Sequence, residues 1–307
     1  MKTRFLQAVL TIAAIFTVAI TNTIRAEESE YSKAEVAEML ANPLSFLWMM
    51  AMQSDTIFMD GDLPGADKVT LNRLTVMPVM PFQLTEEYKL MFRPWIPYCT
   101  YDLPWKNRDN FIYDSPGFQN LPTGIKDTDT RGGLGDMGFW AMMASQEGTR
   151  PPFIYGLGIT TMFDTASKDQ FGFGQNSIGP TALAFYVREK WVIGGILQHW
   201  WSYYGDDDRS DVNLTDFQYI IRYRINRSTS VGCTPNAQYN WESDSFTFPV
   251  GLGADKLVYI GKLPIKIGIE AYYYIESDPD ELHNDWHLRF FAIPVLPSPN
   301  WTRRPRF

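Results

Sequence analysis

The sequence predicts an all-β protein, an antiparallel transmembrane β-barrel of about twelve strands preceded by a short N-terminal helix or plug segment. Three observations lead there. Apolar and polar residues alternate with a period of two along most of the chain, which only a strand converts into two distinct faces. The connections between these stretches alternate between short and long. Aromatic residues, 15% of the chain with 10 Trp and 16 Tyr, crowd at the ends of the stretches, where rings that are apolar on one side and polar on the other suit a membrane interface.

The chain begins with Met1-Lys2-Thr3-Arg4, an apolar run from Phe5 to Ile20, and the small residue Ala26 before an acidic Glu27-Glu28. These are the zones of a secretory signal peptide over residues 1–26, and the run is short for a helix crossing a bilayer. Residues 27–53 read as an N-terminal periplasmic or plug segment. Within it, Ser32 is placed to cap a short amphipathic helix that Pro43 ends, and this helix is a candidate to enter the lumen. The barrel follows over 54–297, and 298–307 form a C-terminal extension. No later apolar run reaches the length of a membrane-spanning helix. Removing Lys2, Arg4 and Arg25 leaves 24 basic against 35 acidic residues, a net charge of −11, which speaks against nucleic acid as a partner. The two cysteines, Cys99 and Cys233, are too few for a disulfide framework, fall on opposite sides of the barrel and are expected unpaired.

Twelve strands are expected over 54–61, 68–79, 88–98, 136–146, 152–163, 176–188, 191–204, 212–225, 229–241, 245–259, 263–275 and 285–296. Starting from a periplasmic N-terminus, the even connections fall inside the periplasm and are all short: 84–87, 146–150, 188–190, 226–228 and 261–262. The odd ones, including 100–135, 164–176, 205–211 and 278–281, are mostly longer and richer in acids. Short periplasmic turns, long outer loops and an even strand number are the pattern of a Gram-negative outer-membrane barrel.

Facing follows from the alternation. In the 212–225 strand, Phe217, Tyr219, Ile221 and Tyr223 meet lipid, and Asp216, Gln218, Arg222 and Arg224 meet the lumen. The 263–275 strand sets Ile265, Ile267 and Ile269 against Lys266 and Glu270, and the 229–241 strand sets Val231, Cys233, Ala237 and Tyr239 against Asn236, Gln238 and Asn240. The 68–79 and 176–188 strands are ambiguous. An aromatic belt is expected from Trp95, Tyr98, the run from Trp200 to Tyr204, Tyr239, Trp241, the run from Tyr272 to Tyr274, and Trp286, with Trp191 at the inner end.

A series of segments also resembles a known family. They are Ala41-Asn42-Pro43-Leu44-Ser45-Phe46-Leu47, the run NRLTVMPVMP from Asn72 to Pro81, Arg93-Pro94-Trp95-Ile96-Pro97, Gly133-Leu134-Gly135-Asp136, Ser177-Ile178-Gly179-Pro180-Thr181, the run GGILQHWWSYYG from Gly194 to Gly205, Phe248-Pro249-Val250-Gly251-Leu252-Gly253 and Gly261-Lys262-Leu263-Pro264-Ile265-Lys266. No one of them is specific; their order over about residues 41–297 resembles the outer-membrane transporter family named for the MetA pathway of phenol degradation, also labelled transporter or neuromedin U. The resemblance implies a barrel that passes small, aromatic or hydrophobic molecules, and it implies no catalytic residues. The tail SPNWTRRPRF at 298–307 departs from it, since family members are expected to end soon after the last strand.

The candidate lumen and selectivity residues are Arg93, Asp136, Asp216, Gln218, Arg222, Arg224, Asn236, Gln238, Asn240, Lys266, Glu270 and Arg289, with His287 beside them. Two roles compete: a salt-bridge network that fills the barrel, or a charged lining that guides a solute. Arg222 and Arg224 leave positive potential unless Asp216, or a carboxylate from the plug or the long 100–135 loop, compensates. Asp206, Asp207, Asp208 and Asp211 have the hard oxygens of a cation site but no defined spacing, and a solvated loop is the simpler reading. An enzyme would need a Ser–His pair with an orienting acid. Ser202 and His199 are three apart on a strand and so point to opposite faces. The sequence therefore favours a channel or transporter over a structural or adhesive barrel, and both over a lipid-modifying enzyme. No cofactor and no resident metal are called for. The expected partners are outer-membrane lipid, a small solute and the barrel-assembly machinery.

Overall fold

The computed structural model describes residues 47–60, 69–102, 132–145, 153–261, 263–277 and 283–296. The leader, the 32–44 helix, the 103–131 connection and the 298–307 tail lie outside them. The strands are β1 (Trp48–Asp60), β2 (Val69–Gln83), β3 (Tyr88–Asp102), β4 (Gly132–Leu134), β5 (Met137–Ser145), β6 (Phe153–Phe163), β7 (Gln175–Val187), β8 (Trp191–Gly205), β9 (Asn213–Arg224), β10 (Thr229–Cys233), β11 (Asn236–Asn240), β12 (Ser245–Ile260), β13 (Leu263–Glu276) and β14 (His283–Leu296). All pairs are antiparallel, and β1 pairs with β14 to close the sheet on itself.

The fourteen segments make twelve staves. β4 and β5 both pair with β3 and are one stave broken at Gly135-Asp136. β10 and β11 both lie between β9 and β12 and are one stave broken at Thr234-Pro235. The expected strands are present, with ends displaced by a few residues. The largest difference is at β1, which starts at Trp48 rather than at residue 54. Its first residues, Trp48-Met49-Met50-Ala51-Met52, are apolar on both faces, so no alternation marks them.

The wall is inverted relative to a soluble sandwich. On β9, Phe217 and Ile221 are 41% and 43% exposed, whereas Asp216 and Arg222 are 3% and 6% exposed. Leu157, Ile159, Leu197, Ile267 and Ile269 are exposed, while Asp55, Asp255, Glu270 and Arg289 are buried. Large side chains outside and charges inside are what lipid outside and a polar lumen inside require. The belt needs a correction. Tyr98, Trp201, Tyr203, Tyr204, Trp241, Tyr273 and Trp286 do face outward. Trp200 and Tyr272 are buried inside, and Trp95 and Tyr274 line the interior. Adjacent residues of a regular strand point opposite ways, so a run of rings cannot all join one belt; Tyr203 and Tyr204 are both exposed because the register shifts between them and Ser202.

Prolines interrupt the ladder. The pairing of β10 and β11 with β12 lapses between Gly232↔Gly253 and Gln238↔Thr247, where Pro235 and Pro249 supply no N–H. Side chains satisfy the stranded backbone groups. From the lipid face Tyr219 Oη donates to the Pro249 carbonyl at 2.5 Å. From the lumen Arg289 Nη1 and Gln218 Nε2 donate to the Thr234 carbonyl at 2.8 and 3.3 Å, and the Thr234 N–H donates to Tyr272 Oη at 3.3 Å. Gly232 at the start of the break has φ of 148°, and a Cβ there would sit 2.0 Å from the Ile221 carbonyl oxygen.

This facing predicts asymmetric tolerance to charge. Ile221→Arg places a cation in hydrocarbon and should cost about 2–4 kcal/mol of barrel stability, whereas Gln218→Arg should cost much less. Denaturant unfolding in lipid checks it; equal losses on the two faces would reject the assignment.

Candidate functional site

Among the described residues the lumen holds four carboxylate-centred clusters, three of which contribute to the wall of a cavity. One end of the barrel, the loop end, carries residues 164–174 and 206–212; the opposite end is the turn end.

Asp55, fully buried on β1, is the first centre. Its cross-strand partners are Arg289 on β14 and Arg73 on β2. It accepts from Arg289 Nε at 2.8 Å, Arg73 Nη2 at 3.3 Å and Gln53 Nε2 at 2.7 Å, and pairs with His287 Nε2 at 2.7 Å. A buried carboxylate needs such saturation, because removal from water costs several kcal/mol that partners must offset. The second centre joins three strands: Arg222 bonds Asp255 and Glu270, Lys266 Nζ lies 3.3 Å from Asp255, and Glu270 also accepts from Thr234 Oγ1 at 2.8 Å and from Tyr272 Oη. Arg289, 4.0 Å from Glu270, links the two clusters. The third centre, Asp216, is held by amides rather than cations: Asn236 Nδ2 at 2.9 and 3.1 Å and Gln238 Nε2 at 3.0 Å.

The fourth centre ties a loop to the wall. Asp136, at the break between β4 and β5, accepts the backbone N–H groups of Thr165, Ala166 and Phe173 at 3.1, 3.0 and 2.6 Å. Ser167 adds reciprocal bonds to Leu134. From the neighbouring loop, Arg209 Nη2 donates to the Gly172 carbonyl at 2.6 Å and to that of Asp169 at 3.2 Å. A 3-10 turn at Asp169–Phe171 is thereby drawn inward, and Phe171 and Phe173 become part of the cavity wall.

The cavity has a volume of about 240 Å³. Trp95, Trp200, Phe171, Phe173, Met162 and Leu214 wall it toward the loop end, and Arg73, Gln218, Asn236, Gln238 and Arg289 contribute polar groups at mid-height. Trp95 and Trp200 meet edge to face, centroids 6.4 Å apart at 81°. Arg93 lies over the Trp140 ring at 5.8 Å from its centroid, and its Nη2 donates to Met77 Sδ at 2.9 Å. Toward the turn end the interior is packed by Met91, Met142, Ile154, Leu183, Phe185 and Ile196 on one side.

Of the residues named from the sequence, Arg93, Asp136, Asp216, Gln218, Asn236, Gln238 and Arg289 line this cavity. Arg222, Lys266 and Glu270 are brought together in the second cluster, away from it. Arg224 sits at the turn end of β9 and Asn240 at the loop end of β11, where Asn240 bonds Ser243. The expected compensation of Arg222 is corrected: Asp255 and Glu270 neutralise it, and Asp216 is engaged by amides. Asp55, Arg73, Asp255, Trp140, Phe171 and Phe173 escaped the sequence reading. Ser202 Oγ bonds Asp211 at 2.9 Å and His199 Nδ1 pairs with Thr215 Oγ1 at 2.7 Å, so serine and histidine do not meet. Cys99 and Cys233 are buried free thiols.

No protein-family model matches the chain, and no curated protein matches it. The resemblance to the MetA-pathway family therefore rests on the ordered sequence segments between Ala41 and Lys266. Among solved structures, the chain is similar to an outer membrane channel from Pseudomonas putida F1, with a TM-score of 0.60 at 14% identity, covering 83% of this chain and 99% of that one. This likeness establishes a shared fold. A deletion mutant of the monoaromatic hydrocarbon channel TodX and a Pseudomonas aeruginosa FadL homologue also match, at TM-scores of 0.43 and 0.39 and identities of 9% and 8%, each covering 81% of this chain and 89% of its own. Both are too distant to carry an argument.

Two outcomes follow from the clusters. Asp136→Asn should release the 164–174 loop, raising amide exchange at Thr165, Ala166 and Phe173 by about tenfold or more, since bonds to a charged acceptor contribute about 1.5–3 kcal/mol each. Protection in β7 should be unchanged. Glu270→Ala should cost about 3–5 kcal/mol in denaturant unfolding by leaving Arg222 with one partner fewer.

Proposed function

We propose that this chain is an outer-membrane channel of a Gram-negative bacterium that passes small apolar or aromatic solutes, with residues 1–26 removed on export and the part of the 27–53 segment that precedes β1 serving as the periplasmic or plug segment. One observation carries the reading: a closed barrel with a lipid-type exterior encloses a cavity whose loop-end wall is aromatic and whose remaining groups are polar. A wall of this kind binds an apolar ring while leaving room for water-like contacts at its edge. The fold shared with a bacterial outer membrane channel supports the location, and the resemblance to the MetA-pathway family supports aromatic solutes.

In operation, the loop held by Asp136 and Arg209 sets the loop-end constriction through Phe171 and Phe173. A solute entering there exchanges water for ring faces, and burial of one aromatic ring supplies a few kcal/mol at about 25 cal/mol per Å². The charges centred on Asp55, Asp255 and Glu270 are mutually neutralised, so those clusters are not a strong ion trap. The selectivity role of Arg93, Asp216, Gln218, Asn236 and Gln238 belongs to this proposal, since they line the same cavity. The packed turn end favours a second reading, a structural barrel without transport.

Planar-bilayer conductance and uptake of toluene-sized solutes into liposomes separate the two. The double change Phe171→Ala with Phe173→Ala should raise uptake several-fold while the barrel stays heat-resistant on gels. A protein that inserts but never conducts or passes solute, before and after this change, is a structural barrel. A cysteine at Asp207 should react with a membrane-impermeant thiol reagent on whole cells; labelling only after permeabilisation would reverse the orientation.

A further inference from the structure

The cations of the lumen are not equivalent. Arg73 and Arg289 share Asp55, and Arg222 and Lys266 share Asp255, with Glu270 completing the set. Arg93 differs. Among the described residues it pairs with no carboxylate; the one hydrogen bond of its guanidinium is to the Met77 thioether, a weak acceptor, and the guanidinium also lies over the face of Trp140. The nearest acids of the cavity are engaged elsewhere, Asp216 by Asn236 and Gln238, and Asp136 by three backbone N–H groups. A guanidinium carries five donors in a planar fork that matches a carboxylate, and here most of that fork is unspent on a cavity wall.

Beside the fork, the same strand face presents Trp95, and Trp200 meets Trp95 across the lumen. The space, about 240 Å³, exceeds the roughly 150 Å³ of an apolar cavity that admits benzene. We propose that the cavity is a binding site for a one-ring aromatic carboxylate, with its carboxylate on Arg93 and its ring against Trp95, Trp140 and Trp200. The proposal rests on the channel reading and narrows its solute class.

The test is titration of the purified full exported chain with benzoate, benzyl alcohol and benzylammonium, followed by tryptophan emission and calorimetry. Benzoate should bind at least about tenfold more tightly than benzyl alcohol, as loss of a desolvated charge pair implies, and benzylammonium more weakly than either. Arg93→Gln should abolish the preference for benzoate while benzyl alcohol affinity stays within about twofold, and Arg93→Lys should keep part of it. Heat-resistance on gels shows that each variant folds; if Arg93→Gln does not, the ranking in the unsubstituted protein and in Arg93→Lys decides. Equal binding of benzoate and benzyl alcohol, or a preference that survives Arg93→Gln, overturns the proposal. Liposome uptake separates it from the channel reading. Benzyl alcohol that crosses without any benzoate preference leaves the channel and removes this site; benzoate that binds where no solute crosses leaves the site and removes the channel.

Discussion

Hydrocarbon offers no hydrogen-bond partner to a backbone N–H or C=O, and the rest of this structure depends on that constraint. Each unpaired group costs several kcal/mol in lipid, so the sheet must close. Closure here is achieved with fourteen strand segments in twelve staves. At the break beside Pro235 and Pro249, side chains bond the backbone groups that the ladder leaves. Tyr219 shows the economy involved, since its ring belongs to the lipid-facing surface while its hydroxyl caps the Pro249 carbonyl. The break is thus a sealed seam in the wall, with Thr234 bonded from the lumen side by Arg289, Gln218 and Tyr272.

The interior obeys a second rule, that a buried carboxylate must be met at short range by cations or hydrogen-bond donors. Asp55 meets three basic side chains and Asp255 with Glu270 meets Arg222 and Lys266, so no large single-sign field runs through the lumen. The apolar cavity wall at the loop end is added to this scaffold by a loop rather than by strands. Phe173 reaches the lumen because a carboxylate in the broken stave collects its backbone N–H together with those of Thr165 and Ala166, and Phe171 because Arg209 holds the carbonyls of Asp169 and Gly172 on either side of it. Continuity of the broken stave and placement of the aromatic cavity wall therefore share one residue, Asp136.

Much of the barrel was legible because its physics is local. Period-two alternation and turn lengths depend on adjacent residues, and they located the strands to within a few positions. The faces of Asp216, Gln218, Lys266 and Glu270 were readable for the same reason. Facing failed where both sets look alike: Met-rich β1 hid Asp55, and β2, with prolines and apolar residues on both sides, hid Arg73. Trp95 and Trp200 were misassigned to the belt because ring identity says nothing about direction; parity along the strand separates Trp200 from Trp201. Asp255 was overlooked between Ala254 and Lys256, since its value lies in Arg222, 33 residues away in sequence. Loop residues such as Phe171 carry no period at all, and their place is set by long-range bonds to Asp136 and Arg209.

The Asp55 cluster also sits where the two ends of the barrel meet. Joining β1 to β14 brings together residues separated by more than 230 positions, the costliest loop closure in the fold and the contact most exposed to error during assembly. A slip of one residue would oppose Asp55 to Leu288 or Phe290 and turn every side chain of the strand to the wrong face. A slip of two keeps the faces but sets Asp55 against His287 or Phe291 and strands Arg289 without its acid. The ion cluster is in this sense a proofreading lock: it rewards a single alignment of the closing strands and penalises its neighbours, so one carboxylate favours the register in which the barrel closes.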